Sequence, residues 1–159
     1  LCNELWKLSP REFQHFALDI LRKHLKNPSK EDLENLYYFI TTKSWWDSVD
    51  LLASNSLGII IQKHPELITE MDNWIESEDF WVRRSALIFQ LKYKSNVDEL
   101  KLFSYCEKCM HEKEFFIRKA IGWALRQHSR INPQGVIDFV AKNELTLSNL
   151  SKKEALRLL

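Results

Sequence analysis

Apolar positions along this chain recur three and four residues apart. Phe13, Phe16, Ala17, Ile20, Leu21 and Leu25 form one such stripe, the mark of an amphipathic helix. Ser9-Pro10-Arg11-Glu12 precedes it and reads as a capping box with proline at the first helical position. Asn27-Pro28-Ser29 interrupts the pattern, and Ser29 and Asp32 can cap a second helix reaching Thr41. Ser44-Trp45-Trp46-Asp47 offers another S-x-x-D start, with Asp47 completing the box, and Val49, Leu52, Leu57, Ile60 and Ile61 carry that helix to His64-Pro65. The same signals predict helices over 66–76, 80–94, 98–111, 115–129, 133–143 and from 151 onward, with Asn132-Pro133 at one boundary.

Beneath the helical spacing lies a longer period of 35 residues. Phe80-Trp81-Val82-Arg83-Arg84-Ser85-Ala86 aligns with Phe115-Phe116-Ile117-Arg118-Lys119-Ala120-Ile121, and backward with Trp45-Trp46-Asp47-Ser48-Val49-Asp50-Leu51. Helix pairs repeated at this length are the size of HEAT-like or TPR-like units, and no TPR consensus is present. The expected fold is therefore all-α: a HEAT-like α-solenoid, a superhelix of antiparallel helix pairs with one concave face. In such a stack, equivalent positions form ladders. His15, Asp50, Ser85, Ala120 and Ala155 make one; Gln14, Val49, Arg84, Lys119 and Glu154 make the next. Asp50 places a carboxylate where the following repeats have Ser or Ala.

Composition agrees with a globular helical chain. Of 159 residues, 45% are hydrophobic and 28% charged, and only three glycines and four prolines occur, too little turn chemistry for a sheet protein. No apolar run approaches the ~20 residues of a membrane span. Leu1 in place of a methionine, and an end at Leu158-Leu159 within an expected helix, lead us to expect one domain over 1–159 that is a fragment of a longer protein. The net charge of +1 conceals polarity. Residues 66–79 hold six acids and no base; 81–94 hold four bases and no acid; 108–130 hold six Lys/Arg against two Glu. Three cysteines without a framework fit a reducing cytosol.

Trp46 and Asp50 lie four apart and share a helix face, as do Lys119 and Trp123. Each pair fits a core tryptophan beside a solvated charge, because aromatic stripes on helices are usually core. Each also fits one wall of a groove in which a carboxylate, indoles and cations meet a phosphate backbone. Cys106-x-x-Cys109-x-His111 offers three ligands on one helix, short of the four of a structural zinc site, so buried thiols and no metal are expected. His24, His64 and His128 read as surface residues, and His15 as a groove or packing residue.

Thr42-Lys43-Ser44-Trp45-Trp46-Asp47-Ser48-Val49-Asp50 resembles the signature of the DNA alkylation repair family of AlkD-type glycosylases. Residues 80–91 (Phe80 to Leu91) and 113–126 (Lys113 to Arg126) are similar to its next two segments, in order. The resemblance implies a HEAT-like superhelix, double-stranded DNA bearing alkylated purines as substrate, no cofactor, and cleavage of the N-glycosidic bond in base excision repair. It implies Asp50 as the catalytic carboxylate, Trp46 and Trp123 as the aromatics flanking the lesion's sugar and backbone, and Arg84 as a DNA contact. It further implies action without a base-flipping pocket, and N-terminal helices of a full-length protein, with further cleft residues, that the domain over 1–159 is expected to lack. Lys119, Arg83, Arg118 and Arg126 are expected to contact phosphates as well, though helix spacing cannot turn all of them to one face. No Schiff-base lysine stands out, so simple hydrolysis is expected, by a monomer in the bacterial cytoplasm that meets the nucleoid when acting. The rival is a non-catalytic HEAT-type scaffold binding DNA or protein along the same groove; a pure phosphate binder would gain nothing from Asp50.

Overall fold

A computed structural model describes residues 1–24 and 27–159; Leu25, the last residue of the first expected stripe, lies outside the described residues. All regular structure among these residues is helical. The helices are α1 (Cys2–Lys7), α2 (Glu12–His24), α3 (Asp32–Thr41), α4 (Trp46–Leu51), α5 (Gly58–Lys63), α6 (Ile68–Trp74), α7 (Phe80–Ile88), α8 (Glu99–Cys109), α9 (Phe115–Ser129), α10 (Pro133–Lys142) and α11 (Asn149–Ala155). Leu52–Leu57 is a π-helical segment that joins α4 to α5 with helical backbone angles at both junctions.

The 35-residue period survives in space. Helices α2, α4, α7, α9 and α11 each contact the next in that series, and α3, α6, α8 and α10 form the second layer. The architecture is a HEAT-like stack of helix pairs. No pair closes a core alone; Leu36, Phe39, Leu52, Leu57, Met71, Leu87, Phe89, Ile117, Ile121 and Leu125 are buried in one cluster that runs through the repeats.

Short polar side chains set the helix starts. Asp79 accepts from the Trp81 amide, Asp98 from Lys101, Glu114 from Phe116, Asn132 from Gly135 and Ser148 from Ser151. Each satisfies an amide that the first helical turn leaves open. Pro133 occupies the first turn of α10, as expected.

Five expectations change. Ser9 and Pro10 stand before α2, which starts at Glu12, so the proline is not its first residue. The Ser44–Asp47 box does not form: Ser44 donates back to the Ile40 carbonyl at 2.6 Å, and Asp47 is taken by the Arg11 guanidinium. The extended Trp45 then begins α4 without a side-chain cap. Helix α7 ends at Ile88 rather than near 94, because Gln90 turns to bracket Asp98 and Lys94 adopts φ 54°, which a right-handed helix cannot contain. The helix expected over 44–64 is continuous only by way of the π segment. His128 is buried, not on the surface, with Nε2 2.5 Å from a Glu99 carboxylate oxygen. Helix α1 was not foreseen. Its six residues are too few to show a period, yet Trp6 is fully buried, packs at a tilt with its ring centroid 4.6 Å from that of Phe39 and donates to the Thr42 carbonyl at 2.8 Å.

Candidate active site

Helices α4, α7, α9 and α11 each turn side chains into one cavity of about 350 Å³. Its lining is Trp46 and Asp50 from α4, Arg84 from α7, Phe115, Phe116, Lys119, Trp123 and Arg126 from α9, and Glu154 from α11. On α9, positions 119, 123 and 126 recur at helical spacing and so share a face.

Asp50 and Arg84 form the floor. Arg84 Nε donates to Asp50 Oδ1 at 2.7 Å and Nη2 to Oδ2 at 2.8 Å, a fork-to-fork pair. The third guanidinium nitrogen donates to the Phe116 carbonyl, and the group lies 5.8 Å from the Phe116 ring centroid. Arg84 is 5% exposed and Asp50 14%, so Arg84 sits behind while Asp50 reaches the cavity. A carboxylate has about four acceptor positions. Arg84 takes two and fixes the rotamer; the remainder stays open to whatever fills the cavity. Above this floor stand the rings. Trp46 is 49% exposed, too open for a core residue, and Trp123 is part-buried. Trp45, Phe80, Trp81 and Phe116 cluster where the first turns of α4, α7 and α9 meet, with centroids 4.6–6.3 Å apart. The repeated aromatic doublet of the sequence thus packs into one body that holds these turns, and Trp46 projects from it.

The expected cations divide into two groups. Arg84, Lys119 and Arg126 line the cavity. Arg83 and Arg118 do not: Arg83 grips Glu112 with bonds of 2.9 and 2.6 Å and also donates to the Ser77 and Glu78 carbonyls, while Arg118 donates to the Glu112 carbonyl at 2.9 Å. Both brace the loop before α9. The hydrogen bond to Glu112 holds the Arg83 pKa above its ordinary value. His15 stands outside the cavity, 3.2 Å from Asp47. Cys106 and Cys109 are buried, and burial pushes the Cys109 thiol up to about 12. Among the described residues no three His, Cys, Asp or Glu side chains are grouped to hold a metal, and no helix is long and apolar enough to cross a membrane.

Sequence reasoning passed over Phe115, Phe116 and Glu154 as lining residues. The signal was available for the last, since Glu154 occupies the same ladder as Arg84 and Lys119. In the structure its Oε1 lies 3.0 Å from Lys119 Nζ and its Oε2 2.7 Å from Arg126 Nη1.

The sequence profile of the family described as DNA alkylation repair enzyme matches residues 1–159. This chain belongs to that DNA alkylation repair family. A solved structure described as a predicted DNA alkylation repair enzyme from Enterococcus faecalis superimposes with a TM-score of 0.87 at 33% identity, covering 99% of this chain and 73% of that one. No curated protein matches the chain significantly. Membership in the family supports a role in DNA repair, with DNA as the substrate. The family's helical-repeat fold agrees with the repeat found in the sequence.

Proposed function

We propose that this family member is a monofunctional DNA glycosylase that hydrolyses the N-glycosidic bond of N3- and N7-alkylated purines. The observation that carries the reading is the open carboxylate of Asp50, clamped by Arg84 at the floor of a cavity walled by Trp46 and Trp123.

Alkylation at N3 or N7 makes the purine cationic and a good leaving group. The C1′–N bond breaks with its electron pair going to the base, which departs neutral. The sugar is left oxocarbenium-like. Asp50 stabilises that charge and orients a water whose oxygen bonds to C1′ and whose proton is released toward the carboxylate. The faces of Trp46 and Trp123 suit a cationic sugar, an attraction of about 0.5–2 kcal/mol per ring. Lys119 and Arg126 supply contacts to backbone phosphates of double-stranded DNA. A scaffold that merely held DNA would be weakened by a carboxylate in that position, which favours catalysis over binding alone. The protein acts here as a monomer and needs no cofactor.

The test is single-turnover release of 7-methylguanine from methylated duplex. Asp50→Asn preserves the shape and should slow release by roughly 100–1000-fold. An unchanged rate would end the catalytic assignment, as would a covalent protein–DNA adduct trapped by borohydride.

A further inference from the structure

The reaction just described uses Asp50 and gives Lys119 and Arg126 to phosphates, but it leaves Glu154 without a part. Glu154 is nonetheless firmly seated. Its two oxygens are shared out, one to each cation, at 3.0 and 2.7 Å, and its side chain is only 13% exposed. The seat is built by close helix packing. Gly122 lies between Lys119 and Arg126 on α9, and a Cβ there would fall 2.5 Å from the Glu154 Cβ and 3.0 Å from the Ser151 carbonyl. Ser151 fastens the same crossing by donating to the Arg118 carbonyl at 2.8 Å. A larger residue at 122 would push α11, and the carboxylate with it, away from the two cations.

A carboxylate bridging an ammonium and a guanidinium, one oxygen to each, presents what a phosphodiester presents: two equivalent anionic oxygens of similar spread. It also alters the charge of the cavity. Arg84, Lys119 and Arg126 bring three positive charges, and Asp50 and Glu154 bring two negative ones. Arg84 is committed to Asp50, so Lys119 and Arg126 are the cations available to DNA, and both are held by Glu154 in the free protein.

We propose that Glu154 is a built-in stand-in for a DNA phosphate. It holds Lys119 and Arg126 in place and neutralised until a backbone phosphate takes its position between them. The exchange lowers affinity for every duplex alike, so the protein leaves undamaged DNA readily, while the cations stay set at the right separation. This rests on reading the cavity as a DNA site; it does not depend on catalysis by Asp50.

The experiment is fluorescence-anisotropy titration of the 159-residue chain with an undamaged labelled duplex across a range of salt concentrations. Glu154→Gln keeps the shape and removes the charge. It should bind about five- to tenfold more tightly at low salt, with the slope of log K against log salt steeper by roughly one, as one more phosphate is neutralised. Adding Lys119→Gln to Glu154→Gln should abolish that gain, whereas Lys119→Gln in the unaltered protein should cost less than about threefold, because the lysine's partner there is already an anion. Equal or weaker binding by a folded Glu154→Gln overturns the proposal. A large loss from Lys119→Gln alone does so too, and serves as the test if Glu154→Gln does not fold. Binding by neither protein also overturns it. Base release is scored separately: a chain that shows this charge response but releases no 7-methylguanine would sink the glycosylase reading and leave the stand-in intact.

Discussion

Asp50 gives both oxygens to one guanidinium, and that guanidinium is almost wholly enclosed. Removing one partner of a buried pair strands the other, at a cost of about 3–5 kcal/mol. Arg84→Met should therefore lower the unfolding free energy by about that amount in a denaturant titration, while Asp50→Asn, which keeps an acceptor oxygen, should cost less. Arg84→Lys should restore little, since an ammonium cannot make the forked contact. Trp46 behaves oppositely. Half-exposed, it contributes little burial, so Trp46→Ala should shift stability by under about 1 kcal/mol. Base release should fall, by as much as roughly thirtyfold if the whole ring–cation attraction is lost. A variant as slow as Asp50→Asn, or as unstable as Arg84→Met, would contradict that division of labour. The sequence put Trp46 with Asp50 and Lys119 with Trp123 on shared faces through helical spacing, and the fold turns these faces and Arg84 into one cavity. It could not give Arg83 and Arg118 their roles. Both look like members of a basic ladder, and only the fold shows Glu112 lying between them.

At the scale of elements, the crossing of α9 and α11 is the tightest joint near the site. Gly122→Ala introduces a methyl at 2.5 Å from the Glu154 Cβ, and overpacking of this kind costs about 1–3 kcal/mol. Thermal unfolding should show the loss, and Lys119 and Arg126 should become more reactive toward duplex DNA as α11 lifts away. Gly58 plays a similar part at the π segment, where a Cβ would meet the Phe89 carbonyl at 2.6 Å and Tyr93 donates to the glycine carbonyl at 2.7 Å. Helix starts were legible at Phe80, Phe115 and Pro133, where the expected and observed first residues coincide. They were not legible where tertiary partners outbid local ones. Arg11 draws Asp47 out of its expected capping box, and the π turn at 52–57 is marked in the sequence by no more than a five-residue step from Leu52 to Leu57 across Ser54-Asn55-Ser56.

Over the whole molecule, charges pair from repeat to repeat. Arg11–Asp47, Lys30–Glu66, Lys101–Asp72, Lys108–Glu76, Lys119–Glu154 and Lys142–Glu107 all join residues about one repeat apart. Within the acidic stretch at 66–79, Glu66, Asp72 and Glu76 are thereby matched by Lys30, Lys101 and Lys108, which net charge alone could not reveal. Carboxylates in these contacts titrate low: the hydrogen bond from Lys119 depresses Glu154, that from His128 depresses Glu99, and that from Lys101 depresses Asp72. Groups whose folded pKa is depressed stabilise the fold above their unfolded value and lose that contribution as pH falls through the folded one. The thermal midpoint should accordingly hold steady at neutral pH and decline below the ordinary glutamate value of 4.5. Glu99→Gln should flatten the decline; a curve of the same steepness would show that the pair with His128 carries no linkage. Finally, the cavity draws one wall from each of four successive helices of the same series, α4, α7, α9 and α11. The curvature of the superhelix is therefore also the aperture of the site. Any bend along the axis widens or narrows the gap between Asp50 and Glu154, and a duplex gripped at one end of the arc would slow amide exchange at the other.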